Sequence, residues 1–224
     1  FERNGRSLAN SLVLDARSTL EGTPATLSDN EAHGVRGSGG LAAANSALLS
    51  SATMRNGRIS ITGNTARNVQ SNGFEGSAAG GLLFSSKQNA MALANSLGVF
   101  GSTVDASSVS LADNTATDLS AQGGRLVANS VSVERGEGAG STLSAATRVA
   151  GNTASQVSTG ASSMAGPGKA FSEESVARAA TNAVVLYENS RVDSGSPLNV
   201  SDNRASQVAA IGGTALVNAL GAYR

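Results

Sequence analysis

Three aspartates that recur at one repeat position are the first residues in the chain whose spacing suggests chemistry. Asp29, Asp113 and Asp202 each stand directly before an asparagine in the same short motif, and paired carboxylates carry out acid–base catalysis in glycoside hydrolases. In a stack of strands about 4.8 Å apart, these acids would lie two or more strands from one another, at roughly 10 Å or beyond. That distance is marginal for an inverting glycosidase and too long for a retaining one. Since an aspartate in a turn can bond its own backbone, we expect these residues to form turns.

The single histidine, His33, is the next candidate, and its repeat position favours an outward, tolerant site. Other copies of the repeat hold Arg67, Thr117, Ser155 and Ser206 there. A Ser–His–Asp triad would have only this histidine to use, and the absence of cysteine excludes thiolate zinc sites and cysteine nucleophiles. Residues 37–42 match a dinucleotide-binding fingerprint in spelling, but no βαβ pattern surrounds them. We therefore expect no catalytic residue, no metal and no cofactor.

Composition limits the kind of core that the chain can build. Only 14% of its 224 residues are charged and 3% are aromatic, tryptophan is absent, and 27 residues are glycine. A core of alanine and branched aliphatic residues suits a thin structure, and 40% apolar residues with no net charge argue against disorder. Sixteen basic residues balance sixteen acidic ones without a basic stripe, so nucleic acid is not an expected partner.

A repeated motif predicts the fold. Each copy combines alternating apolar residues with an asparagine that follows Asp or Gly, and with an alanine two positions after the asparagine. The five copies occupy residues 25–35, 59–69, 109–119, 147–157 and 198–208. Apolar alternation over four or five positions is typical of a short strand. The aliphatic residue three positions before each asparagine is therefore expected to point into one continuous core; these residues are Leu27, Ile61, Leu111, Val149 and Val200.

A second, looser unit usually ends in Asn-Ser, and the asparagines of both units recur at a spacing that fits a narrow solenoid. They are Asn10, Asn30, Asn45, Asn64, Asn95, Asn114, Asn129, Asn152, Asn189, Asn203 and Asn218. Eight of the ten steps between them are 14 to 23 residues long, and the two longer steps contain turn-rich stretches at 71–80 and 158–175. We predict an all-β, right-handed parallel β-helix of about eleven rungs over residues 1–224, with two lateral insertions. The asparagine amides would bond one another along its axis as a ladder.

At these motifs the chain resembles the passenger domains of the polymorphic outer membrane proteins of chlamydiae. Those passengers carry Gly-Gly-Ala-aliphatic and Phe-x-x-Asn motifs on a β-helix. Here an aliphatic residue replaces the phenylalanine in all five copies, and glycine pairs occur at 39–40, 80–81, 123–124 and 212–213. The Ala-, Ser- and Arg-rich composition also resembles the dispersed-gene-family surface proteins of trypanosomes. Both resemblances imply display on a cell surface and adhesion.

The function that these features favour is structural. We expect a non-catalytic, autotransporter-like stalk in a cell-surface or extracellular protein, whose lateral loops contact a host-cell protein, a matrix protein or a glycan. The alternative is a glycan-active β-helix lyase or hydrolase, which would need a groove lined by acids and aromatic residues. Ice binding is a weaker third alternative because no Thr-x-Thr array recurs in successive units.

Neither end of the chain shows a capping sequence. The first unit begins near Leu8 and the last ends near Ala222, without a charged or helical segment to cover the strand edges. Uncovered edges pair with other strands. We therefore expect either that the chain continues into further rungs of a longer protein or that copies associate end to end.

Overall fold

The computed structural model describes residues 6–38, 40–72, 90–122, 124–136, 140–160, 177–193, 195–211 and 213–223. Within these ranges the chain forms 25 strands and no helix, so there is no helix here that is long and apolar enough to cross a membrane. The strands pair in parallel and lie in four sheets. The fold is thus a parallel β-helix-like solenoid, as the repeat predicts.

Sheets A and B consist of short strands. Sheet A contains β1 (Arg6–Ala9), β7 (Leu41–Ala44), β11 (Ala90–Ala94), β15 (Gly124–Ala128), β19 (Ala177–Thr181) and β24 (Gly213–Val217). Sheet B contains β2 (Leu12–Leu14), β8 (Ala47–Ser50), β12 (Leu97–Phe100), β16 (Val131–Glu134), β20 (Val184–Tyr187) and β25 (Leu220–Tyr223). Only an Asn-Ser or Asn-Ala pair separates each A strand from the B strand that follows it, and this pair forms the A–B corner.

Sheets C and D contain most of the longer strands. Sheet C contains β3 (Thr19–Glu21), β4 (Pro24–Ser28), β9 (Thr53–Thr62), β13 (Thr103–Ala112), β17 (Thr142–Ala150), β21 (Arg191–Val192) and β22 (Leu198–Ser201). Sheet D contains β5 (Glu31–His33), β6 (Arg36–Ser38), β10 (Thr65–Asn72), β14 (Thr115–Gln122), β18 (Thr153–Gly160) and β23 (Arg204–Ile211). The Asp-Asn or Gly-Asn pair of each motif copy lies between the two sheets and forms the C–D corner.

One circuit of the solenoid passes through sheets A, B, C and D in turn. Asparagines that bond each other in adjacent circuits are 34 to 53 residues apart. The predicted rung of 14 to 23 residues is therefore only half of a circuit, because both sequence units lie in the same circuit. The sequence predicts about eleven rungs over the whole chain, and the described strands form five circuits and the first half of a sixth.

Both predicted insertions begin inside strands. Residues 71–72 belong to β10 and pair with β14, and residues 158–160 belong to β18 and pair with β23. The rest of the stretches 71–80 and 158–175 lies almost entirely outside the described residues. The first strands after these segments are β11, which pairs directly with β7, and β19, which pairs with β15. The stack is therefore continuous past both undescribed segments.

Apolar side chains form two cores inside the circuit and a third cluster outside it. Sheets B and C enclose the larger core, and sheets A and D enclose a narrower one in which alanines such as Ala66 and Ala116 predominate. Since side chains alternate along a strand, the residues of sheet A that do not face the inner core point outward. Leu41 of sheet A and Leu48 of sheet B meet there in the third cluster. We call the groove between the outward faces of sheets A and B the notch.

The aliphatic residues three positions before the motif asparagines do share one core. Ile61, Leu111 and Val149 are buried between sheets B and C, and Leu27 and Val200, in the first and fifth circuits, pack against the same cluster while partly exposed. Their registers connect them in a single column, because each pairs with its counterpart in the next circuit. The prediction of one continuous core is confirmed.

A charge introduced into this column is expected to be strongly destabilising. Ile61 is fully buried, so Ile61→Asp places an unpaired carboxylate in an apolar core and should lower the free energy of unfolding by on the order of 3–5 kcal/mol. Ser60→Asp, on the opposite face of the same strand, is the matched control and should cost less than about 1 kcal/mol. Chemical denaturation of both variants measures the difference; equal stabilities would contradict the inward assignment.

Candidate functional site

The asparagines of the A–B corner form the first of two ladders. It consists of Asn10, Asn45, Asn95, Asn129, Asn182 and Asn218. Each Nδ2 donates to the Oδ1 of the asparagine in the next circuit at 2.9–3.1 Å. All six have φ between 47 and 50°, the left-handed conformation that asparagine tolerates best among non-glycine residues. Asparagine thus provides both the tight corner and the bond along the axis.

The same amides also connect the two corners of each circuit. The second N–H of Asn45 donates to the carbonyl oxygen of Thr65 at 2.9 Å, and Asn95 donates to Thr115 at 2.8 Å. Equivalent bonds recur in the first, fourth and fifth circuits. The accepting residues directly follow the C–D corner, so the A–B corner must point inward and touch it. We call this line of contact, which divides the interior into its two cores, the waist.

The asparagines of the C–D corner form the second ladder. It consists of Asn30, Asn64, Asn114, Asn152 and Asn203. Each Oδ1 accepts both the side-chain Nδ2 and the backbone N–H of the asparagine in the preceding circuit. The remaining N–H donates to a carbonyl of sheet C; for example, Asn114 bonds Ile61 at 2.8 Å. In the second to fourth circuits, the asparagines of both ladders are buried, and their amides are fully hydrogen-bonded.

The structure places ten of the eleven predicted asparagines in these ladders and divides them between two columns. Asn189 lies outside both columns and is exposed near the end of β20. The ladder position that the sequence assigns to Asn189 is occupied by Asn182, between Asn129 and Asn218. The prediction failed there because Asn182 is followed by Ala183, whereas Asn189 is followed by the serine that marks most copies. Buried serines of the other copies add a further column, in which the backbone N–H of Ser96 donates to Ser46 Oγ at 3.1 Å.

The three recurring aspartates turn the chain at the C–D corner. Asp29, Asp113 and Asp202 have φ of 53–56°, while the glycines at the same position in the alternate circuits have φ of 67–69°. A Cβ on Gly63 would lie 2.4 Å from Asp29 Oδ1, and Asp113 approaches Gly151 in the same way, so these two aspartates lean over the glycine of the next circuit. Since glycines separate the acids by two circuits, about 10 Å, the expected turn role fits the geometry and no close carboxylate pair arises.

His33 points outward from sheet D. Its side chain is 53% exposed, and Nε2 lies 3.2 Å from the carboxylate of Glu31, which is also exposed. The neighbouring circuit places Arg67 beside it. This position agrees with the tolerant site that the sequence predicts, and it brings no serine–histidine pair into reach among the described residues.

Across the mouth of the notch, residues nine positions apart face each other. In the first circuit, Arg6 Nη1 lies 3.5 Å from the carboxylate of Asp15, and in the fourth circuit Arg125 forms an ion pair with Glu134. Leu41 and Met91 occupy the arginine position in the two circuits between. The notch is therefore apolar at its centre and carries arginine–carboxylate pairs on either side.

The fifth circuit departs from this pairing because Tyr187 stands where the fourth circuit has its glutamate. Arg178 occupies the arginine position, and its guanidinium carbon lies 4.7 Å from the centroid of the Tyr187 ring, a cation–π distance. Tyr187 also stacks on Tyr223 of the sixth circuit, with 5.3 Å between ring centroids. Arg178 Nη1 is buried and finds no hydrogen-bond partner among the described residues.

The electrostatics of this cluster follow from burial. Removal from water raises the pKa of Tyr187 above its usual value, although the charges of Arg178 and Arg125 oppose the change. Burial, together with the positive charge of Arg178, lowers the pKa of Arg125 to about 10, and its guanidinium stays charged at neutral pH. In this part of the notch, two guanidiniums lie beside one buried carboxylate among the described residues, that of Glu134, to which the Ser132 hydroxyl donates at 2.6 Å.

This cluster of arginines and tyrosines was not predicted from the sequence. The available signal was the spacing of nine residues between arginine and acid, which occurs at Arg6 and Asp15 and again at Arg125 and Glu134. This spacing predicts an ion pair only if the angle between sheets A and B is known, because the V shape of the notch brings the two positions together.

Loss of one ladder asparagine is expected to destabilise the solenoid. Asn114→Ala would leave the backbone N–H of Asn64 and the carbonyl of Ile61 without these bonds. Because each buried polar group left unpaired costs about 1–3 kcal/mol, the free energy of unfolding should fall by at least about 3 kcal/mol. Asn199→Ala, on the exposed face of sheet C, should change it by less than about 0.5 kcal/mol. Urea unfolding of both variants decides; similar values would refute the structural role.

Alkaline pH should reveal the buried tyrosine. The raised pKa of Tyr187 means that the folded state holds this proton where the unfolded state loses it, so stability should fall as pH rises above about 10. In a Tyr223→Phe variant, tyrosinate absorbance should therefore appear at higher pH for the folded protein than for the protein in urea. Coincident titration curves would show that the phenol of Tyr187 is solvated.

Comparison with known proteins finds no match of this chain to a protein family, to a curated protein or to a solved structure. The described residues also contain no group of three or more His, Cys, Asp or Glu side chains that could hold a metal ion. The resemblance to chlamydial and trypanosome surface proteins stays a hypothesis based on motifs and composition.

Proposed function

We propose that this chain is a non-catalytic structural and adhesive segment, a stalk in a cell-surface or extracellular protein. The proposal rests on one observation: the polar residues that recur in every circuit form hydrogen bonds inside the stack. Asn64, Asn114 and Asn152 are buried, and their amides bond the neighbouring circuits. Residues that recur for ligand binding would instead be presented to solvent. The repeat therefore serves to build a rod of constant cross-section.

The finer architecture of the proposal is a right-handed rod with lateral segments. Right-handed crossover is the rule for parallel strands joined within a sheet. In the third circuit, one residue, Gly123, joins sheet D to sheet A, whereas in the second and fourth circuits this connection spans residues 73–89 and 161–176. Both long connections start from the same edge of the stack, two circuits apart. Lateral loops on solenoids are commonly the parts that contact partners.

The expected partners are a host-cell protein, a matrix protein or a glycan at the lateral segments, and further rungs or a second copy at the ends. Exposed apolar side chains in the terminal circuits support end contacts: Leu8 is 46% exposed, Leu220 51% and Ile211 73%. Such residues would be covered if another circuit stacked on them. Sedimentation at increasing protein concentration tests this part of the proposal.

The alternative, a glycan-active lyase or hydrolase, keeps one observation in its favour. The carboxylates of Asp29, Asp113 and Asp202 lie in one column at the C–D corner, spaced by two circuits, and this spacing approaches that of an inverting pair. Against it, the two tyrosines of the chain lie in the notch, away from these acids. No aromatic side chain among the described residues lies in the repeat motif that bears these acids.

A loop-replacement experiment distinguishes stalk from enzyme. Residues 73–89 and 161–176 are each replaced by one glycine, which copies the connection of the third circuit, and the variants are coated on beads to measure adhesion to cells. The stalk proposal expects unchanged thermal unfolding and loss of adhesion in at least one replacement, and unchanged adhesion in Asp113→Asn. Polysaccharide cleavage by the unaltered chain that Asp113→Asn abolishes would overturn the proposal in favour of the enzyme.

A further inference from the structure

In two circuits of the notch, an arginine on sheet A pairs with a carboxylate on the sheet B side. Arg6 faces the carboxylate of Asp15 in the first circuit, and Arg125 faces that of Glu134 in the fourth. In both cases the residues are nine positions apart, one on sheet A and the other on sheet B. The V-shaped section of the notch thus places a carboxylate and a guanidinium within bonding distance whenever a circuit supplies both.

In the fifth circuit, the arginine position is occupied by Arg178, but the acidic position holds no carboxylate. Tyr187 takes the acidic position, so Arg178 stacks on an aromatic ring at 4.7 Å instead of pairing with an oxygen. Its Nη1 is without a hydrogen-bond partner among the described residues, and the carboxylate of the preceding circuit, Glu134, already bonds Ser132 and Arg125. Glu188, the next acid along the chain, is exposed to solvent. Among the described residues, no buried acid is therefore free to match the charge of Arg178.

Part of the cluster is exposed to solvent. Arg178 and Tyr223 are partly exposed, as is the guanidinium of Arg125, whose side chain is 27% accessible. Tyr223 stacks on Tyr187 with an angle of 19° between the rings, which provides a flat apolar surface beside the guanidiniums. This combination of a planar fork of donors and an aromatic face suits a small, flat molecule that bears an acid group.

We propose that the notch at the fourth to sixth circuits binds a carboxylate, with Arg178 as its anchor. The ligand carboxylate pairs with the partly exposed guanidinium of Arg178 beside the Tyr187 ring, as Asp15 and Glu134 pair with arginines in other circuits, and the remainder of the ligand, a sugar ring or the body of a simple organic acid, lies against Tyr223. This proposal uses residues of sheets A and B, whereas the adhesive function is assigned to residues 73–89 and 161–176, so each proposal can fail without the other.

The two tyrosines make the site directly observable, because the chain has no others. Tyrosine-selective isotope labelling therefore produces ring NMR signals from this cluster alone, and Tyr223→Phe assigns them. The unaltered chain is titrated at neutral pH and constant ionic strength with four probes: sodium glucuronate, glucose as its uncharged counterpart, sodium benzoate and sodium sulfate. Arg178→Gln removes the anchor, Tyr187→Glu supplies an internal carboxylate, and Arg148→Gln, an exposed arginine on sheet C, is the matched control.

The expected result is a saturable shift of the ring signals with a carboxylate probe, none with glucose, and none with sulfate. Binding should weaken by at least about tenfold in Arg178→Gln, disappear in Tyr187→Glu, and stay unchanged in Arg148→Gln. A response to glucuronate alone assigns an acidic sugar, and a response to benzoate as well assigns carboxylic acids in general.

Three outcomes would overturn the proposal: no saturable shift with either carboxylate, an equal response to sulfate, or undiminished binding in Arg178→Gln. Circular dichroism checks that each variant keeps its β structure. If Tyr187→Glu does not fold, the comparison of Arg178→Gln with Arg148→Gln decides alone.

Discussion

The satisfaction of polar groups along the waist is the interaction on which this structure depends. Where the A–B corner meets the C–D corner, backbone N–H and carbonyl groups of the middle circuits are removed from water. Asparagine amides satisfy them: Asn45 bonds the carbonyl of Thr65, and Asn114 accepts the N–H of Asn64. An unpaired buried amide costs about as much as several apolar contacts provide. A thin solenoid can therefore keep its inward-pointing corner only if each circuit brings its own asparagines.

Sterics at the corners explain most of the remaining composition. The left-handed residue before each second-ladder asparagine alternates between aspartate and glycine, because a Cβ on Gly63 would collide with the carboxylate of Asp29. The core between sheets A and D is lined by alanines such as Ala66 and Ala116, since the waist leaves little width beside it. Low aromatic content is thus a consequence of a circuit folded in on itself, and the two tyrosines lie outside the cores, in the notch.

The sequence predicts the column-forming residues well and their grouping poorly. Repeats of equal spacing must stack in register, so the inward direction of Ile61 and the axial bonding of Asn64 and Asn114 follow from the motif. The angle of the A–B corner decides whether the two sequence units occupy successive circuits or the same circuit. Neither spacing nor composition determines that angle. The same angle creates the notch, so the cluster around Arg178 could not be predicted either. Asn189 was misassigned because local motif spelling, Asn-Ser, does not identify which turn lies at the waist.

A rod held together by internal amide ladders is compatible with the stalk function that we propose. The central claim, that the asparagine amides are structural bonds buried at the waist, can be tested directly by side-chain hydrogen exchange in the ¹⁵N-labelled protein. The account predicts that the Nδ2 protons of Asn114 exchange only through unfolding of the solenoid, at a rate that denaturant accelerates in step with global unfolding, while those of the exposed Asn199 exchange at once. Rapid exchange of Asn114 under native conditions would contradict it.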